Sequence, residues 1–228
     1  MPNTRRVRRV GLVLGALALA APLAASAGSD AKSIVGVIQT GATGRMSGSS
    51  QYFSYGVVLR NRSATKDAVG VRVRVFVLGA AGLVGVYATT IPLIPAKGIY
   101  YLGNEPAALS TVQRATGVSA VVSVTGERRA HGSLPSARAA PPVDGRIRGS
   151  IANHSTRSIV TRGTKLFAVY YDRAGKVIGG DRLKGVTFSA TLIAATRSAR
   201  FSARLGPAIP AARIARVAVS VSPVLAKG

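Results

Sequence analysis

The residues best equipped for chemistry in this 228-residue chain are its arginines. Arg72 and Arg74, and again Arg146 and Arg148, stand two apart within extended segments. Each pair therefore projects from one face of a strand, with the heads about 7 Å apart. A guanidinium is a planar fork that donates paired hydrogen bonds to phosphate or carboxylate, and it stays charged at every physiological pH. With Arg216 as support from a third alternating run, these five residues are the candidate anion-binding set. The composition agrees: 31 Lys and Arg stand against 7 Asp and Glu, a formal charge of +24. Residues 144–228 carry +12 and residues 35–130 carry +7, so the C-terminal part is the stronger candidate for contact. A GC-rich coding bias accounts for 24 Arg against 7 Lys, but it does not account for the shortage of acids.

Catalytic groups are sparse. The seven carboxylates, Asp30, Asp67, Glu105, Glu127, Asp144, Asp172 and Asp181, fall in separate loops and strand ends, with no pair spaced to face across a glycosidic bond. Asp172 and Asp181 flank one expected hairpin, where an Asp at the start of a turn caps local amides. His131 and His154 are isolated, whereas a metal site needs clustered donors and a triad needs a base between nucleophile and acid. With no Cys there is no thiolate nucleophile and no disulfide framework. Gly41-Ala-Thr-Gly44 is too short for a phosphate loop. The reading is a non-enzyme with no cofactor and no metal. Asn61-Arg-Ser63 and Asn153-His-Ser155 fit the glycosylation sequon, but both follow a strand, where Asn and Ser form side-chain-to-backbone turn bonds.

The elements that position the arginines read as strands. Val69, Val71, Val73, Val75 and Val77 alternate with polar or small residues, and Ala215, Val217, Val219 and Val221 repeat the device. Gly, Asn, Ser and Pro clusters punctuate such runs at about the spacing of an antiparallel sandwich or barrel. Helix is confined, if anywhere, to Glu105 to Thr116. Residues 1–27 read as a signal peptide: Arg5, Arg6, Arg8 and Arg9, then the apolar run Val10 to Leu23, then Ala25-Ser26-Ala27 before an expected cleavage at Gly28. Removing it leaves +20. The expected organisation is an N-terminal extension, 28–34, a first β-sandwich repeat, 35–126, a Pro- and Ala-rich linker, 127–143, and a second repeat, 144–228. The repeat rests on matched segments: Val57–Ser63 with Gly149–Ser155, Val73–Val77 with Phe167–Tyr171, and Ala120–Val124 with Val217–Val221.

The second repeat, with Asn153-His-Ser155, a strand ending Val169-Tyr170-Tyr171-Asp172, a turn at Gly175 and then Lys176-Val-Ile-Gly179, resembles the FxLYD family of small immunoglobulin-like domains. It carries Ala168 where the strict motif has Phe, and the first repeat has Val77-Leu78 in place of the Tyr-Asp pair. The resemblance implies an all-β chain of two immunoglobulin-like sandwiches in tandem, in a secreted or surface protein without a defined catalytic residue. The leading expectation is thus a secreted, non-catalytic protein bound to anionic polymer or membrane head groups at the cell envelope. The alternatives are an adhesion or spacer module whose ligand is a protein, reached through an edge strand, and non-specific nucleic-acid binding. The signal peptide and the few aromatic residues argue against the last.

Overall fold

The computed structural model describes residues 33–104, 107–110, 114–130 and 134–226; the expected signal peptide, most of the extension 28–34, Glu105 and His131 lie outside them. The described residues are all-β and form one compact unit. Four antiparallel sheets make four layers. The first outer sheet has the order β4 (Gly82–Ile94), β3 (Lys66–Gly79), β7 (Ala115–Arg129). The first inner sheet runs β1 (Val35–Ser47), β2 (Ser50–Asn61), β5 (Ile99–Gly103), with β6 (Ala107–Ser110) also on β2. The second inner sheet is centred on β10 (Ile159–Tyr171), which pairs with β11 (Val177–Arg182), β13 (Leu192–Ile193) and β15 (Arg216–Leu225). The second outer sheet runs β12 (Lys184–Phe188), β14 (Ser198–Arg204), β9 (Arg146–Ala152), β8 (Ser136–Ala139).

Period-two alternation decides what each face meets. Val71, Val73, Val75 and Val77 of β3 point inward onto Phe53, Tyr55, Val57 and Leu59 of β2, closing the first core. Leu166, Ala168 and Tyr170 of β10 meet Ile147 and Ile151 of β9 and Phe201 of β14 in the second. The sheet orders repeat: β4-β3-β7 corresponds to β11-β10-β15, and β1-β2-β5 to β8-β9-β14. The two sequons mark the same corner. Asn61 donates to Lys66 O and Ile94 O, Asn153 to Arg157 O and Ile193 O, and each accepts from the amide of the Ser two residues on. Both Asn side chains are buried, holding carbonyls that the chain's change of sheet would otherwise leave unpaired.

Three expectations are corrected. The segment 127–143 is not a bare linker: residues 127–129 complete β7, and Ser136–Ala139 form an edge strand on β9. Ala137 and Ala139 point into the second core, so a segment that reads as Ala-rich linker carries strand alternation. The described residues within Glu105 to Thr116, 107–110 and 114–116, hold strand and no helix: β6 pairs with β2 and β7 begins at Ala115. The repeat also aligns differently in its second strand. Val73 points into the first core, whereas Phe167 points away from the second core and its neighbours Leu166 and Ala168 point into it. A one-residue slip exchanges the two faces of a strand, and an unbroken apolar run does not show which face is which.

The inner sheets pack on each other, with Val58, Val169, Tyr171 and Val177 between them. Their strands are therefore buried on both faces over Phe53–Leu59, Ala168–Tyr171 and Val177–Asp181. The backbones approach closely at glycines. A Cβ on Gly56 would lie 2.5 Å from Gly179 O, and one on Gly103 would strike the Asp181 amide nitrogen and Ala168 O. Hydrogen bonds stitch the contact: Thr43 Oγ1 donates to Ile178 O (2.6 Å), the Asn104 amide to Gly180 O (3.2 Å), the Arg182 amide to Asn104 O (2.6 Å), and the Tyr101 amide to Ser220 Oγ (2.8 Å). Gly56→Ala forces these backbones apart and is expected to lower unfolding stability by about 1–3 kcal/mol. Gly117→Ala, where a Cβ meets nothing within 4 Å, is expected to cost far less; denaturant unfolding of the two variants checks the difference.

Candidate anion-binding face

The outer face of the second outer sheet is built by the same alternation that builds its core. Ile147 and Ile151 of β9, Ala199, Phe201 and Ala203 of β14, Ala137 and Ala139 of β8, and Val186 and Phe188 of β12 point inward. Arg146, Arg148 and Ser150, Arg200, Ser202 and Arg204, Arg138, and Thr187 are left outward. Strand register sets them in rows: Lys184–Arg204–Arg146, then Thr187–Ser202–Arg148, then Arg200–Ser150–Arg138. Neighbours in a row are about 4.8 Å apart and rows about 7 Å apart along the strands. The four strands contain six basic residues and no Asp or Glu. Arg146 Nε donates to Ser202 Oγ (3.0 Å), which fixes one guanidinium over the face. A concavity of about 360 Å³ opens here among Arg148, Thr187, Ser189, Arg200 and Ser202. Hydroxyls between guanidinium groups give both neutral and charged donors for anionic oxygens.

The five expected contacts do not converge. Arg146 and Arg148 lie on this face. Arg72 and Arg74 project from β3 on the first outer sheet, at the other end of the four layers, among Phe76, Val86 and Val121. Arg216 stacks on the Tyr171 ring, 3.7 Å from the centroid, beside the contact between the inner sheets. Sequence reasoning missed Arg138, Lys184, Arg200 and Arg204. For β14 the signal was present: Ser198-Ala-Arg-Phe-Ser-Ala-Arg204 alternates polar and apolar residues throughout.

The remaining chemical groups are held structurally. Asp172 Oδ1 accepts from the Ala174 and Lys176 amides, the turn-capping role expected for it. Ser136 Oγ and His154 Nε2 are 2.8 Å apart, both exposed, tying β8 to the Asn153 corner. Asp181 is the exception. Its carboxylate is buried at the meeting of the inner sheets, within reach of Ser54 Oγ (3.2 Å) and accepting from Tyr170 OH (3.0 Å), and it lines a cavity of about 370 Å³ with Tyr52, Lys184 and Arg204. Burial outweighs these hydrogen bonds and the nearby Lys184 charge, pushing the Asp181 pKa up to about 6. Ser54 Oγ also faces the peptide group of Gly180, accepting from its N–H (3.0 Å) and donating to its O (2.9 Å). Its single proton cannot serve Gly180 O and an ionised Asp181 together. A protonated Asp181 removes the conflict by donating to Ser54.

No family model matches the chain, and no curated protein matches it. Among solved structures it is similar to red sea bream transglutaminase, at 9% identity and a TM-score of 0.26, over 84% of this chain and 29% of that one. The chain thus spans less than a third of that protein's length, and a likeness so distant carries no argument.

Because the native pKa of Asp181 lies above its unfolded value of 3.8, the native state holds the proton more tightly. The stabilisation is complete below about pH 3.8 and is lost as pH rises through about 6, a difference of about 3 kcal/mol. Asp181→Asn, which keeps a donor toward Ser54 and an acceptor for Tyr170, is expected to abolish this component. Parallel unfolding titrations from pH 4 to 8 measure it as the difference between the two chains' slopes.

Proposed function

We propose that this protein is a secreted, non-catalytic binding protein, built from two FxLYD-like immunoglobulin-type sandwiches, that docks on anionic polymer of the cell envelope through the outer face of β12-β14-β9-β8. The observation that carries the reading is the three-row array of Arg and Lys, interleaved with Ser and Thr, on strands that contain no acid. Each guanidinium–oxyanion contact at an exposed site is weak and screened by salt. Several made at once along a polymer add into useful affinity through effective concentration. The mechanism is therefore multivalent, salt-sensitive and selective for charge density more than for one monomer. The two rings that border this concavity, Phe188 and Phe201, pack against the second core, which disfavours single-stranded nucleic acid, whose bases stack on freely exposed rings, as the ligand. Export follows from the leader read in residues 1–27, and N-terminal sequencing of the exported chain is expected to begin at Gly28.

Co-sedimentation with isolated envelope material across a salt series tests the reading. Affinity is expected to fall roughly tenfold or more between low and physiological salt. An Arg146→Ala, Arg148→Ala, Arg200→Ala, Arg204→Ala variant is expected to lose most binding, and an Arg72→Ala, Arg74→Ala variant to retain it. Binding that resists salt, or that falls equally in both variants, overturns the proposal.

A further inference from the structure

We infer that two copies of this chain pair through β4, edge to edge and antiparallel, into a symmetric dimer. β4 is an outermost strand: it is hydrogen-bonded to β3 on one side, and among the described residues no strand pairs with its other edge. Exposed edges are ordinarily blunted by shortness, charge, proline or a bulge. Over Gly82–Ile91 β4 has no charged residue and no proline, and with 13 residues it is long for an edge. Its one register shift against β3 falls near the Leu78 end, leaving Arg72–Val77 and Gly85–Thr90 in continuous register. It also exposes apolar surface, with Leu83 at 61% and Val86 at 50%.

The occupant follows from charge and from the repeat. A copy carrying about +20 is repelled by most of another copy's surface, and β4 is an uncharged edge on which two copies can approach. Continuing the stack of layers is blocked at its other end. The second outer sheet corresponds to the first inner sheet, so Arg146 and Arg148 occupy the positions of Ser54 and Gly56. Side chains of that size exclude the close glycine-lined contact that joins the inner sheets. Antiparallel β4 pairing is instead self-complementary, as a two-fold interface requires. It places the Arg72 and Arg74 side chains of the two copies three strand spacings apart, about 14 Å, beyond the screening length at physiological salt. The dimer forms one six-stranded sheet and carries a basic array at each distant end.

Sedimentation velocity of the chain purified from an exporting host, from about 1 to 100 μM at physiological salt, tests this. The mass is expected to double with concentration. Val86→Lys and, separately, Leu83→Lys are expected to weaken dimerisation at least tenfold with unchanged far-ultraviolet circular dichroism, and Val86→Thr to leave it in place. A monomer throughout the range, assembly beyond two copies, or a dimer untouched by both Lys variants overturns the inference. An Arg148→Ala control that shifts dimerisation as strongly as Val86→Lys overturns it too, because the contact would then lie on the opposite sheet.

Discussion

The approach of the two inner sheets, backbone against backbone, is the constraint from which the rest of this molecule follows. Sheets whose side chains interdigitate pack about 10 Å apart. Here Gly56 meets Gly179 O directly, and Gly103 meets Ala168 O and the Asp181 amide. At that separation peptide groups of one repeat come within hydrogen-bonding reach of the other, as Asn104, Ser54 and Thr43 show. Polar groups buried there must all find partners, which they do; Asp181 remains the most costly of them because it is an acid in a dry place. Burial on both faces also explains why β2 and β10 lose the clean alternation of ordinary antiparallel strands, reading as Tyr52–Leu59, broken only by Ser54, and as the continuous apolar run Leu166–Tyr171.

The corresponding sheet orders of the two halves connect this contact to the basic array. The paired residues Gly56 and Gly103 of the first repeat correspond to Arg148 and Ser202 of the second, and Val58 and Tyr101 correspond to Ser150 and Arg200. In the first repeat that face is small and apolar and is used internally. In the second it is the outermost layer, and small residues have given way to guanidinium and hydroxyl groups. A general coding bias toward Arg spreads charge without regard to place. It does not account for an acid-free run of four neighbouring strands whose cationic side chains all stand on the solvent side.

Much of the fold was legible in the sequence, because half-buried strands print their burial as alternation. Val71 to Val77 and Val217 to Val221 are core positions as read, and Asn61 and Asn153 mark equivalent corners as read. What could not be read was the partner of each face. Phe167, Ala168, Val169, Tyr170 and Tyr171 are all apolar, so the pleat phase that sends Ala168 to one core and Val169 to the other is set by pairing with Val219 and Ala218, a long-range fact. The same gap split the arginine set: Arg72–Arg74 and Arg146–Arg148 have identical local signatures, but their sheets lie at opposite ends of the layers. Arg138 was hidden by a composition that resembles linker, and Arg200 and Arg204 by a strand that lies outside the segments matched between the repeats.

The claim that one sheet face is the contact surface is tested most directly by arginine-specific labelling. The chain is treated with a dicarbonyl reagent alone and in the presence of soluble envelope polymer, and modification is read residue by residue by mass spectrometry. The account predicts that polymer protects Arg138, Arg146, Arg148, Arg200 and Arg204 together while Arg72 and Arg74 label as in the free chain. Uniform protection of all arginines, or protection centred on Arg72 and Arg74, would contradict it.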